Sequence, residues 1–145
     1  EASDHEAAVE QGDRIPWGWV VGTAIGLEVA LIISAVAWVA IYSYLIHPGE
    51  EPAYYHDYAQ YSSPVVSVVL GMPLWYFACR WVGRKAGTRA VAMCGWAWFI
   101  LFLIDFPLNS MSELQAYNWT MVAISLSTKL VAAYLGGRAA LKSVS

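Results

Sequence analysis

Three ionisable side chains stand inside apolar runs where charge is costly: Glu28, Asp105 and Lys129. A charged group at the centre of a bilayer costs about 2.5–3.5 kcal/mol on insertion scales, so each needs a partner or a function. A mid-depth carboxylate can hold a fixed ammonium, or it can carry a proton or a cation through a transport cycle. Counted from Trp17 as the inner boundary, Glu28 lies about 16 Å deep; counted back from Arg138, Lys129 lies about 14 Å deep. Equal depth and opposite sign predict a buried Glu28–Lys129 ion pair that sets the first and last spans side by side. In the alternative reading Glu28 stands alone as a protonatable coupling carboxylate and Lys129 snorkels towards the inner surface.

The face around Lys129 is small and polar, since Ser125, Ala132, Ala133 and Gly136 lie at helical spacing from it. It is expected to face a neighbouring helix rather than lipid. Asp105 lies 16 residues beyond Arg89, about 24 Å outward, and is expected at the outer interface, hydrated and assisted by Asn109 or Trp119. There it can also receive a cation or a substrate amine. A second pattern concerns packing. Gly22, Gly26, Ala30 and Ser34 recur every four residues as a small-residue ridge about 200° around the helix from Glu28, so the first span is expected to pack on two sides, one serving the bundle and one a further subunit.

The stretch from His47 to Tyr61 carries His47, Glu50, Glu51, His56 and Asp57, all capable of metal ligation or, for the two His, of pH sensing. No recognised ligand spacing joins them. Tyr54, Tyr55, Tyr58 and Tyr61 recur at helical spacing, which predicts a short amphipathic helix lying on the outer surface. No His lies within a span, which argues against haem ligated there, and no cofactor is expected. Cys79 and Cys94 have no CxxC spacing, and neither a phosphate-binding loop nor a nucleophile elbow is present. Asn118-Trp119-Thr120 matches a glycosylation acceptor that abuts the membrane.

The elements that position these residues follow from the apolar runs. Of 145 residues, 59% are hydrophobic and 13% charged, about half the usual charged share, and mean hydropathy is +0.48. This excludes a soluble globular domain, and a net charge of −3 gives no basic footprint for nucleic acid. A hydrocarbon core of about 30 Å needs about 20 apolar residues, and four runs supply them: 17–45, 62–81, 90–108 and 119–141. Ser62-Ser63-Pro64 reads as the start of the second, with a kink expected near Pro73. The expected fold is all-α, a polytopic four-helix up-down bundle over 17–141. It is flanked by an acidic tail at 1–16 and a short tail at 142–145. The first run is too long, and lacks the basic flank, for a cleavable signal peptide.

Arg14, Arg80, Arg84, Lys85, Arg89, Arg138 and Lys142 fall at three connections or ends that a four-span chain places on one side, while the other two connections carry no Lys or Arg. The positive-inside bias therefore predicts an inner-membrane protein with both termini cytoplasmic. Small size, absent catalytic motifs and a two-sided first span make the leading expectation a non-enzymatic subunit of a larger membrane assembly, as a homo-oligomer or with other membrane chains. The alternative is a small proton- or cation-coupled transporter using Glu28. A membrane-embedded enzyme relying on Asp105 and the outer His and Asp comes third. A carboxylate in the first of four helices resembles the small multidrug transporters; this chain departs from them in its length, its long outer loop and its mid-span Lys129, and no family is adopted.

Overall fold

The computed structural model describes residues 15–110 and 115–143, with side chains described for 15–107 and 119–143. Helix α1 runs over Trp17–Ile41 and is prolonged by a π turn, Tyr42–Ile46; α2 covers Pro52–Gly83. A 3₁₀ turn, Gly87–Arg89, leads into α3 (Ala90–Ser110), and α4 covers Gln115–Leu141. Each contains a stretch long and apolar enough to cross a membrane. No strand occurs among the described residues, and the chain is an all-α four-helix bundle of multi-pass membrane type.

The bundle is built for lipid rather than water. In α1, Val20, Ala24, Leu27 and Leu31 are buried at helical spacing, while Ile25, Val29, Ile32, Ile33 and Val36 are exposed. Apolar residues on both faces are what a helix between protein and lipid requires. Helix association in lipid relies on close packing rather than on water exclusion, so small residues mark the tightest seams. A Cβ at Gly136 would stand 2.5 Å from the Tyr76 carbonyl oxygen, and one at Gly137 would stand 3.0 Å from Val91 Cα. These adjacent glycines bring α4 against the backbones of both α2 and α3. Gly83 adds to the seam, with Ala140 Cβ and Ala90 Cβ at 3.0 and 3.2 Å from its Cβ position.

Both α1 and α4 pack on α2 and α3, whereas α1 and α4 make little contact with each other. The first and last spans are therefore not side by side as the equal depths of Glu28 and Lys129 suggest. Depth along an axis is readable from residue counts; the order of helices around the bundle is set by the glycine seams.

The second difference concerns the connection between the first two spans, 47–61. Its tyrosines do not form a separate surface helix. They belong to α2, which begins at Pro52 and runs without interruption for 32 residues. Pro52 occupies the first turn, where its missing N–H is harmless, and Pro64 lies inside the helix rather than at its start. The Ser63 hydroxyl donates to the Ala59 carbonyl at 2.6 Å in the turn that Pro64 weakens. Tyrosines then clasp the C-terminal end of α1 to the N-terminal end of α2. Tyr42 and Tyr58 stack with centroids 3.6 Å apart, Trp38 Nε1 donates to Tyr58 Oη at 3.0 Å, and the Tyr42 and Tyr54 hydroxyls are 3.0 Å apart. At the opposite end Lys85 Nζ sits 3.4 Å above the Trp19 ring, with Trp19 and Trp81 edge to face.

Candidate functional site: a carboxylate-lined cavity within the bundle

Lys129 is 1% exposed, among the most buried side chains described. Its ammonium lies 3.6 Å from Asp105 Oδ2, whose side chain is 14% exposed. The expected Glu28–Lys129 pair is thus replaced by an Asp105–Lys129 pair across the α3–α4 contact, and Asp105 is not simply an interfacial acid. The two Cα positions differ by about 10 Å in depth on the counts above. Side chains lean towards the N-terminus of their helix, and α3 and α4 run in opposite directions. Asp105 accordingly leans towards the N-terminus of α3 and the long Lys129 side chain towards the N-terminus of α4, which closes the gap. Gly71 of α2 completes the seat: a Cβ there would stand 3.1 Å from Lys129 Cε.

Glu28 faces the same place from α1, with Asp105 within hydrogen-bonding reach and Lys129 close enough to attract it. Its Oε2 is buried and has no hydrogen-bond partner among the described residues. The three side chains form one cluster with two negative charges and one positive when all are ionised. A buried Lys⁺ neutralises one carboxylate, leaving one negative charge for a proton or a monovalent cation to balance.

Above this cluster lies a cavity of about 390 Å³. Glu28 and Asp105 line it together with Leu31, Ser67, Val122 and Ser125, and His56 and Gln60 contribute from the N-terminal part of α2. The Ser67 and Ser125 hydroxyls are 3.2 Å apart across α2 and α4, and His56 Nε2 is 2.9 Å from Gln60 Nε2. The cavity therefore runs from the polar N-terminal part of α2 to Glu28. Leu27, Trp75, Leu101 and Leu126, adjoining these elements, belong to the buried core.

The remaining candidates are placed as follows. Gly22 and Gly26 have nothing within 4 Å of their Cβ positions, and Ala30 and Ser34 are half-buried, Ser34 donating to the Ala30 carbonyl at 2.7 Å. The inner half of the ridge is therefore unpacked within the chain. His47 pairs with Glu50 at 3.5 Å, Asp57 is exposed, and no group of three metal-ligating side chains occurs among the described residues. Asn109 and Asn118 have side chains outside the described set, as has the tail at 1–14. Cys79 and Cys94 are both buried and free.

Two members of the site escape sequence reasoning. Gly71 reads there only as a mid-span glycine beside Pro73. Ser67 has no distinguishing local signal; its meaning lies in facing Ser125, a residue that helical spacing does place beside Lys129. Compared with models of protein families, with curated proteins and with solved structures, the chain matches none.

Proposed function

We propose that this chain is a small proton- or cation-coupled membrane transporter in which Glu28 is the coupling carboxylate. One observation carries the reading: Lys129 is engaged by Asp105, while Glu28 lines a cavity and its Oε2 has no hydrogen-bond partner among the described residues. A Glu28 neutralised by Lys129 would have been a structural fixture. A carboxylate beside an already paired Asp105 and Lys129 has one charge to exchange, proton for cation, with the net charge of the cluster unchanged.

The segregation of Arg and Lys supports an inner-membrane orientation with both termini and the α2–α3 turn on the cytoplasmic side. His56 and Gln60 then lie at the external end, so the cavity faces outside and the leucine and tryptophan layer below it separates it from the cytoplasm. The purified full chain in liposomes bearing a proton gradient tests this. A panel of alkali-metal, alkylammonium and quaternary ammonium ions should contain members that dissipate the gradient, and Glu28→Gln should abolish the effect. No response to any member, or a response that survives Glu28→Gln, overturns the reading.

A second reading, a subunit of a larger membrane assembly, is favoured by the open space over Gly22 and Gly26. Chemical crosslinking in native membranes through a cysteine at Gly22 tests it; a monomer-only pattern counts against any partner on that ridge.

A further inference from the structure

We infer that the cavity above Glu28 takes a small aliphatic primary ammonium ion, in preference to a quaternary ammonium ion or a bare metal ion. The inference deepens the transport reading by naming the class of cation, and it rests on that reading for its biological meaning. Three features of the cavity carry it.

The first is size. A volume of about 390 Å³ lies at the lower end of small-molecule sites and far exceeds what a single inorganic ion fills. The second is charge. Glu28 on α1, Asp105 on α3 and Lys129 on α4 sum to one negative charge when ionised, and α2 contributes only His56 at the mouth. One positive charge restores neutrality, so a monocation fits and a dication leaves an excess in a low-dielectric site. When the ammonium enters, the proton that balanced the pair of carboxylates leaves to solvent, and the charge of the site is conserved.

The third feature is the arrangement of acceptors and walls. The Glu28 and Asp105 carboxylates line the cavity, and the Ser67 and Ser125 hydroxyls on its wall present further lone pairs. A primary ammonium brings three N–H donors on one atom and supplies what these acceptors need. A quaternary ammonium brings none, so the carboxylates and hydroxyls lining the cavity would lose water on its entry without gaining a donor. Quaternary ions are recognised instead by aromatic faces. His56 at the mouth is the one aromatic ring among the lining residues; beside serine and glutamine side chains, the apolar parts of the wall include Leu31, Ile32, Met121 and Val122. They match an alkyl chain of a few carbons.

The experiment uses two isomeric monocations, n-butylammonium and tetramethylammonium, with identical charge and atom count. Binding to the purified full chain in detergent is measured by calorimetry, with sodium as a third probe. The expected result is a preference for n-butylammonium of at least about tenfold, the weight of one charge-assisted hydrogen bond, with proton release on binding. Glu28→Gln should remove both. Because that variant also touches packing, Ala59→Leu, which fills the cavity wall without altering any charge, provides an independent check and should weaken n-butylammonium while leaving the chain monodisperse. Equal or stronger binding of tetramethylammonium or sodium overturns the inference, as does binding of none of the three. Preferential n-butylammonium binding without flux in liposomes sinks the transport reading and leaves the site standing. Flux of other cations without the preference sinks the ligand class and leaves the transporter.

Discussion

The ammonium of Lys129 and the carboxylate of Asp105 meet at 3.6 Å across the contact of α3 with α4, and the stem of that lysine fills the space that a side chain at Gly71 of α2 would occupy. Three helices are thereby committed to one charge. Removing one member of a buried pair leaves an uncompensated ion, whereas removing both can be nearly neutral.

Lys129→Met is therefore expected to destabilise the chain by about 3–5 kcal/mol in detergent unfolding, and Lys129→Met with Asp105→Leu should recover most of that loss. The corresponding cycle between Glu28→Gln and Lys129→Met should show a smaller coupling. A larger coupling for Glu28 than for Asp105 would contradict the pairing described.

The glycine seams give a graded series. Gly136→Ala sets a methyl 2.5 Å from a backbone oxygen of α2 that cannot move alone, and overpacking of that kind costs about 1–3 kcal/mol. Gly71→Ala meets a flexible lysine stem at 3.1 Å and should cost less, with a weakened Asp105–Lys129 coupling as its signature. Gly22→Ala meets nothing and should lie within about 0.5 kcal/mol of the parent in isolated monomers. Thermal unfolding of the three variants should reproduce this order.

How far the sequence carries can be judged from these same residues. Apolar run length reveals four spans because a fixed bilayer thickness translates directly into residue count, and the observed α1, α3 and α4 begin or end close to the runs. The start of α2 is misplaced by ten residues because Pro64 reads as a helix opening, whereas the helix tolerates it as an interior residue. Glu28 and Lys129 are recognisable as buried, and their cluster is legible as a place. Their partners are not, because pairing depends on the rotation of each helix and on which way its side chains lean, and neither is encoded in depth.

Topology is open to direct labelling. Thr88 and Glu51 are exposed at opposite ends of the bundle, and the native Cys79 and Cys94 are buried, so background reaction is low. An impermeant thiol reagent added to intact cells should modify Glu51→Cys and spare Thr88→Cys. The reverse pattern would invert the orientation and turn the cavity towards the cytoplasm.

The tyrosine clasp makes a local prediction. Tyr58→Ala removes a stacked ring and the acceptor of the Trp38 indole, contacts worth about 1–2 kcal/mol together. The loss should appear as faster amide exchange confined to the outer turns of α1 and α2, with the inner halves protected as before.

The cation held over Trp19 has a consequence for the bilayer itself. Lys85 and two indoles gather at one end of the bundle, and the 32 residues of α2, about 48 Å, and the 30 residues from Trp17 to Ile46, about 45 Å, exceed a hydrocarbon core of about 30 Å by about 15 Å or more. Helices of unequal length cannot all match one hydrocarbon thickness, and a longer pair anchored at its base responds to a thicker membrane by standing more upright and to a thinner one by leaning. His56 and Gln60 ride on the free end of that pair, so lipid chain length becomes a variable that moves the cavity mouth while the Asp105–Lys129 floor stays in place.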